Sequence, residues 1–314
     1  MPGEPRPETL TNPVARAFLA TRPAFLMASA LPVVLGAAAA RGEGALDTFL
    51  LLAVLLGAVL IHGGINSLND YHDALTGADA VNEDRIHPFT GGSRFIQNEV
   101  LRPQAMARLG RGLLVAGAAI GVYLAIRTGP GLLALGLGGL VLGWAYSARP
   151  LQLMARGWGE PAVFVGFGGL IPLGADWVLR GTLEPAVLAA GVPFGLLVMD
   201  LLFVNEFPDR RADSTAGKRH WVVRLGPHRA RWIYGIVALG AYLWVLVAVV
   251  RGALPVPALV ALAPSVLSFR AWAGVMNHAD EPAYLEPAIR RSVSAMAVFG
   301  VLMTLALWWS GGLR

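Results

Sequence analysis

Long apolar runs separated by short polar breaks organise this chain. Nine runs stand out, over 24–40, 47–68, 107–126, 130–147, 161–179, 183–204, 232–250, 253–272 and 292–309. Each approaches the ~17–25 residues that a helix needs to cross about 30 Å of hydrocarbon. The pattern predicts an all-α, polytopic membrane protein with nine transmembrane helices, forming one domain over 1–314. Glycines inside the runs, such as Gly136, Gly139, Gly143 and Gly168, would let helices approach closely. The third run is the weakest, because Arg108 and Arg111 lie in its first turns and must reach back to the headgroups.

Composition narrows the class. Apolar residues make up 55% and charged residues 14%, with a mean hydropathy of +0.58. Soluble domains carry roughly 25% charged residues, so too little polar surface exists here to wet a globule. Disorder is excluded on the same grounds. The chain has no cysteine, which excludes a disulfide scaffold and thiolate chemistry.

The net charge of +5 and pI near 10.1 do not point to nucleic acid, because the basic residues form no stripe. They are parcelled out between the apolar runs. With a cytoplasmic N-terminus, twenty fall in cytoplasmic segments, and five (Arg41, Arg127, Arg180, Arg251 and Arg314) fall opposite. Such a bias is the signature of a polytopic protein and sets its orientation. The first 22 residues are polar and lack a leader's apolar core, so the first run is expected to stay as an anchor. The expected location is the cytoplasmic (inner) membrane, with the segments 69–103 and 205–231 on the cytoplasmic side.

Those two segments are longer and more acidic than connectors. Asn69-Asp70-Tyr71-His72-Asp73 aligns with Asn205-Glu206-Phe207-Pro208-Asp209, 136 residues further on. Four runs lie between them, so both are expected on one membrane face. His62, Asn66, Asp70 and Asp73 are spaced by four, four and three residues, which places them on one helix face. Asn205, Asp209 and Asp213 repeat a spacing of four, although Pro208 argues against a continuous helix there. Gathered carboxylates repel one another unless a cation sits among them. Oxygen-only ligands suit a hard ion such as Mg²⁺, which combines a few carboxylates with phosphate oxygens. Arg85, Arg94, Lys218, Arg219 and Arg224 lie close by in sequence. Mixed carboxylates and cations suit a Mg²⁺-diphosphate. A solvated loop is the simpler reading for one such cluster, but not for two matched clusters on one face.

In these motifs the sequence resembles the UbiA-type intramembrane prenyltransferases, most nearly their 1,4-dihydroxy-2-naphthoate branch. Thr21-Arg22-Pro23 resembles the family's Arg-Pro start of the first helix. Asn69 to Asp79 resembles its first motif, with Asn66 preceding it, and Asp209 to Gly226 resembles its second. Tyr146-Ser147 and Gly157-Trp158-Gly159-Glu160 resemble two further signatures. Glu206 stands where many relatives carry Asp or Asn, and His220-Trp221 replaces the usual Thr-Leu.

The resemblance implies a nine-helix bundle around a lipid-open central cavity. It implies Mg²⁺-dependent transfer of a prenyl chain from a polyprenyl diphosphate to an aromatic or other lipid-linked acceptor. In that scheme Asp70, Asp73, Asp209 and Asp213 hold metal, with Asp79 and Glu206 as further ligand candidates. Asn66, Asn69 and Asn205 orient ligands or waters, and Lys218, Arg219, Arg85, Arg94 and Arg149 are candidates to contact the diphosphate. Tyr146 would stabilise an allylic cation through its ring face, although an interfacial belt tyrosine is the plainer alternative. His62, one turn deeper than Asn66, could bond or deprotonate an acceptor hydroxyl. Other acceptors (4-hydroxybenzoate, homogentisate, haem or glycerol-phosphate lipids) fit the same motifs. A transporter or lipid-binding protein is a further class, but it would place its ionisable groups near the midplane.

Overall fold

A computed structural model describes residues 3–43 and 46–313. Arg314, one of the five basic residues assigned to the outer side, lies outside them. Among the described residues the regular structure is all helix, without a strand. A short helix α1 (Pro13–Ala20), capped by Asn12, leads into α2 (Pro23–Ala39). There follow α3 (Thr48–Thr76), α4 (Pro103–Thr128) and α5 (Gly131–Ser147). Helices α6 (Gly159–Val165) and α7 (Ile171–Arg180) are joined by one π-helical turn over Gly166–Leu170 into a single stretch. Then come α8 (Leu188–Thr215), the short α9 (Trp221–Leu225), α10 (Pro227–Val250), α11 (Ser265–His278) and α12 (Glu286–Trp309).

The nine predicted runs all become helices. Eight stretches are long and apolar enough to cross a membrane, whereas α5 is a shorter apolar helix of 17 residues. Two boundaries move. Helix α3 continues past residue 68 to Thr76, so Asp70 and Asp73 sit on the helix, as their spacing from His62 and Asn66 predicted. Helix α8 continues through Pro208 to Thr215, against the break expected there. A proline forfeits one helix hydrogen bond. Here Pro208 and its neighbour Phe207 are buried, so packing holds the turn that the proline weakens. In both helices the polar ends stay helical because they face the protein interior.

Packing density differs across the bundle. Phe194, Phe203, Phe207, Tyr234, Phe299, Met296 and Leu307 form a continuous core between α8, α10 and α12. Two polar pairs inside it are bonded, Tyr234 with Ser292 at 2.8 Å and Tyr242 with Ser268 at 2.9 Å, whereas neither oxygen of the buried Asp200 on α8 has a hydrogen-bond partner. The π-helical turn crosses α8 at near backbone contact, where a Cβ on Gly195 would lie 2.5 Å from the Gly168 Cα. That crossing requires glycine. At the bundle's far end Arg41 lies over the Trp308 ring, and Arg180 pairs with the buried Asp176 and bonds the Ala39 carbonyl.

Candidate active site

The C-terminal ends of α3 and α8 meet, and each supplies what the other needs. Asp73 on α3 lies 2.9 Å from the Lys218 ammonium, which follows α8 and also lies 3.1 Å from Asp213. Asp209 on α8 accepts from Asn82 Nδ2 at 2.6 Å and from the Gly91 amide at 3.3 Å, both in the segment after α3. Asp73 and Asp209 are the residues that align in the two motifs. Each is therefore held by the loop belonging to the other, and the two clusters lie on one face of the bundle.

The remaining acids complete a ring. Asp70 Oδ2 accepts from the Ser93 amide at 3.1 Å, and its Oδ1 has no hydrogen bond. Glu206 lies 3.1 Å from His220 Nδ1, and Asp213 lies 3.3 Å from His220 Nε2. Lys218 and His220 are nearly buried. Burial alone would strip their protons, but Asp73 and Asp213 hold the Lys218 ammonium well above its ordinary pKa. Against the same burial, Glu206 and Asp213 lift the His220 imidazole to about 10. Asp79 shows the opposite balance. Burial, reinforced by the Asp73 and Asp70 charges, pushes its carboxyl well above the usual carboxylate range. The site holds more negative charge than its own cations offset.

The donor set fits a hard divalent cation shared with a phosphate ligand. Among the described residues no three acids or imidazoles converge closely enough to cage an ion alone. Mg²⁺ does not need such a cage, since it keeps waters and substrate oxygens. A cradle is nevertheless present. Gly92, at φ +72°, passes so close that a Cβ there would lie 2.3 Å from Asp79 Oδ2 and 3.2 Å from the unbonded Asp70 Oδ1.

Beneath the acids opens a cavity of about 670 Å³. Its mouth carries Asp73, Asp79, Asp209, Asp213, Lys218 and His220, and its depth is lined by apolar residues such as Ile61, Phe167, Leu170 and Leu201. Val122, Leu133 and Leu137 also line it and are exposed. The wall between α4 and α5 therefore reaches the lipid-facing surface. A charged mouth over an apolar pouch matches a molecule with an anionic head and a hydrocarbon tail.

The structure places the predicted residues unevenly. Asn66, Asn69, Tyr146, Asn205, Glu206 and His62 line the cavity together with the acids named above. Asn66 donates to the Thr21 carbonyl, Asn69 to Ser147, and the Asn205 Oδ1 has no partner. Asp70 sits just behind the wall. Four predicted cations are not brought to it. Arg85 turns to Glu4 near the N-terminus, at 2.7 Å, and the buried Arg94 donates to the backbone carbonyl of Asp79, with Glu4 3.9 Å away. Arg149 and Arg219 are exposed. Spacing places a residue near a site but does not aim a long side chain.

Other residues emerge only in three dimensions. Arg22 lines the mouth, with its guanidinium over Phe25 and bonded to the Phe89 carbonyl. Its place in the Arg-Pro start was visible, but its reach to the acids was not. Asn82 and Ser93 carried no motif at all, although the glycine pair Gly91-Gly92 was a signal of close approach. Glu160 is fully buried and accepts from the Trp221 amide at 2.9 Å, which ties the start of α6 to the second motif's loop.

Comparison with known proteins agrees with this geometry. Residues 29–285 match the sequence model of the UbiA prenyltransferase family. The 1,4-dihydroxy-2-naphthoate octaprenyltransferase of Mycobacterium tuberculosis is 31% identical over 287 residues, covering 91% of this chain and 94% of that protein. Its Bacillus subtilis counterpart is 24% identical over 287 residues, covering 91% and 90%. Among solved structures, a UbiA homologue from Archaeoglobus fulgidus bound to GPP and Mg²⁺ superposes with a TM-score of 0.62 at 13% identity, covering 92% of this chain and 99% of that one.

Proposed function

This chain belongs to the UbiA prenyltransferase family, and from that premise we propose that it transfers a polyprenyl group from a polyprenyl diphosphate to 1,4-dihydroxy-2-naphthoate, a step of menaquinone synthesis. It is a membrane prenyltransferase; the acceptor and the residue roles are our reading. The observation that carries the reading is the exchange at the mouth, where Lys218 joins Asp73 to Asp213 while Asn82 and Gly91 hold Asp209. Two distant motifs thereby frame one anion-and-metal site above one apolar pouch.

Asp70, Asp73, Asp209 and Asp213 would hold Mg²⁺ at the mouth, with Asp79 and Glu206 as further ligands. When bound, the ion would neutralise charge on the departing diphosphate. Lys218 and Arg22 supply fixed positive charge on the same side. Such preorganised charge stabilises a transition state in which negative charge grows on the leaving group. Asn66, Asn69 and Asn205 orient the head group, with the Asn205 Oδ1 free to accept. Tyr146 presents its ring to the carbon that loses the diphosphate. The apolar walls keep water from the allylic cation, so that the electron-rich ring is the nucleophile that reaches it.

The test is direct. Purified protein is given Mg²⁺, a polyprenyl diphosphate and a mixture of 1,4-dihydroxy-2-naphthoate, 4-hydroxybenzoate and homogentisate, and products are weighed by mass spectrometry. The expected product is prenylated naphthalene lacking the carboxylate. Product from another acceptor would replace the naphthoate reading, and absence of released diphosphate would remove the catalytic one. The proposed orientation puts the N-terminus and both motif loops in the cytoplasm. Because the natural chain has no cysteine, single cysteines in 79–98 and near Trp309 report it cleanly: only the second should react with an impermeant reagent from outside.

A further inference from the structure

Below the acidic mouth the α3 wall of the pouch carries Asn69, Asn66 and, deepest of the three, His62. His62 lies eight residues before Asp70, about 12 Å along a helix rising 1.5 Å per residue, and it lines the cavity. Of the α3 residues in that lining, it is the deepest polar one. Hydrocarbon alone would have no use for an imidazole here, since a buried polar group without a partner opposes binding of an apolar guest.

The ring is held from behind. Ser29 on α2, fully buried, donates its hydroxyl to the Leu26 carbonyl at 3.2 Å, and its Oγ lies 2.6 Å from His62 Nδ1. With the hydroxyl hydrogen directed at Leu26, Oγ accepts from Nδ1–H. The neutral imidazole then carries its proton on Nδ1 and a lone pair on Nε2. Among the described residues no hydrogen bond uses Nε2. Phe167 packs edge-on, with ring centroids 5.1 Å apart and planes at 66°, which restrains the ring. The chain thus builds an oriented hydrogen-bond acceptor into the wall where it turns apolar below Asn66, beside aromatic surface that suits a flat ring.

We propose that His62 is a catalytic residue on the acceptor side, whose Nε2 receives the hydroxyl hydrogen of a hydroxyaryl acceptor and holds its proton during carbon–carbon bond formation. This rests on the prenyl-transfer reading above. The C1–O bond breaks first and its electron pair leaves on diphosphate; the ring carbon next to the hydroxyl then forms a bond to the allylic cation at prenyl C1. The acceptor O–H bond breaks in concert, its proton moves to Nε2 and the oxygen becomes a carbonyl. Where that ring carbon bears a carboxylate, the bond to it then breaks and CO₂ departs. The electron pair left behind restores the aromatic ring, and the oxygen takes its proton back from Nε2. His62 ends as it began, so no external base is consumed. A tautomer with a bare Nε2 is the form that this sequence of events needs.

The experiment compares wild type with His62→Leu, His62→Gln and Ser29→Ala in lipid nanodiscs. Three quantities are read: polyprenyl diphosphate binding with Mg²⁺, and KM and kcat for 1,4-dihydroxy-2-naphthoate. His62→Leu should bind the diphosphate as wild type does and lose about 10²-fold or more in kcat/KM for the acceptor, the scale of a lost general base. His62→Gln, which can accept a hydrogen bond but not take the proton, should keep KM and lose kcat. Ser29→Ala, which frees the ring to change tautomer, should lose kcat to a smaller extent. The inference is overturned if His62→Leu and His62→Gln turn over the acceptor as wild type does, or if their losses follow lost diphosphate binding. A wild-type protein that binds polyprenyl diphosphate but prenylates no hydroxyaryl compound overturns the functional reading itself, a result distinct from these.

Discussion

The two motif regions look like repeats in the sequence but are held in different ways. The first keeps its acids with backbone and small residues: Ser93 donates its amide to Asp70, and Gly92 lets Asp79 close in. The second keeps Asp213 and Glu206 with cationic side chains, Lys218 and His220. The centres are then exchanged, since Asp73 takes its cation from the second region and Asp209 takes its amides from the first. Neither half is a finished site. The lesson is that an internal repeat can be a division of labour, in which one copy supplies shape and the other supplies charge.

The largest break in that comparison should come from the exchanged centres. Asp73→Ala and Asp209→Ala should each lower prenyl transfer by about 10²–10³-fold, the cost of losing one preorganised electrostatic group. Initial rates at saturating substrates check this, and losses of similar size would mark the two positions as equivalents. Lys218→Met should come next. It leaves Asp73 and Asp213 buried without their shared cation, and removing one partner of a buried pair costs about 3–5 kcal/mol. Thermal unfolding in detergent should fall clearly, and added Mg²⁺ should restore part of the loss by supplying charge at the same place.

Gly92→Ala probes the shape side. Its Cβ would collide with Asp79 Oδ2, and φ +72° disfavours any other residue. Mg²⁺-dependent binding of prenyl diphosphate should weaken by about tenfold or more, equivalent to ~1.4 kcal/mol, with little change in global stability. A binding curve equal to wild type would refute the cradle. The smallest effect should come from Glu4→Ala. Glu4 holds Arg85 at the half-exposed edge of the first loop, and such pairs contribute about 0.2–1 kcal/mol. A slight fall in melting temperature with unchanged turnover is expected. A large fall in turnover would show that the N-terminal segment shapes the site.

Much of the architecture was legible because hydrocarbon imposes a simple rule. A helix that crosses it must be apolar for a fixed length, and each predicted run lies on a helix. The run ends were less legible. Residues 69–76 and 205–215 are polar, and polarity usually marks the end of a span, yet α3 and α8 continue through them because their polar faces point inward. The acids of both motifs were visible through spacing, as was His62. The cations were harder to read, because the site uses Lys218, His220 and Arg22, while Arg85 answers Glu4 and Arg94 answers the Asp79 backbone carbonyl. A long flexible side chain can take several partners within reach, and only packing chooses among them.

By itself the chain's order of residues determined the helical membrane class, the number of apolar runs and the pair of acidic motifs, since these depend on local periodicity and on the cost of placing charge in lipid. The tertiary structure alone decided that Asn82 answers Asp209, that Lys218 answers Asp73, and that Ser29 meets His62. Those partners lie 33 to 145 residues apart. No local rule connects them; they meet because helices buried against one another have one arrangement that satisfies both their apolar surfaces and their few buried charges.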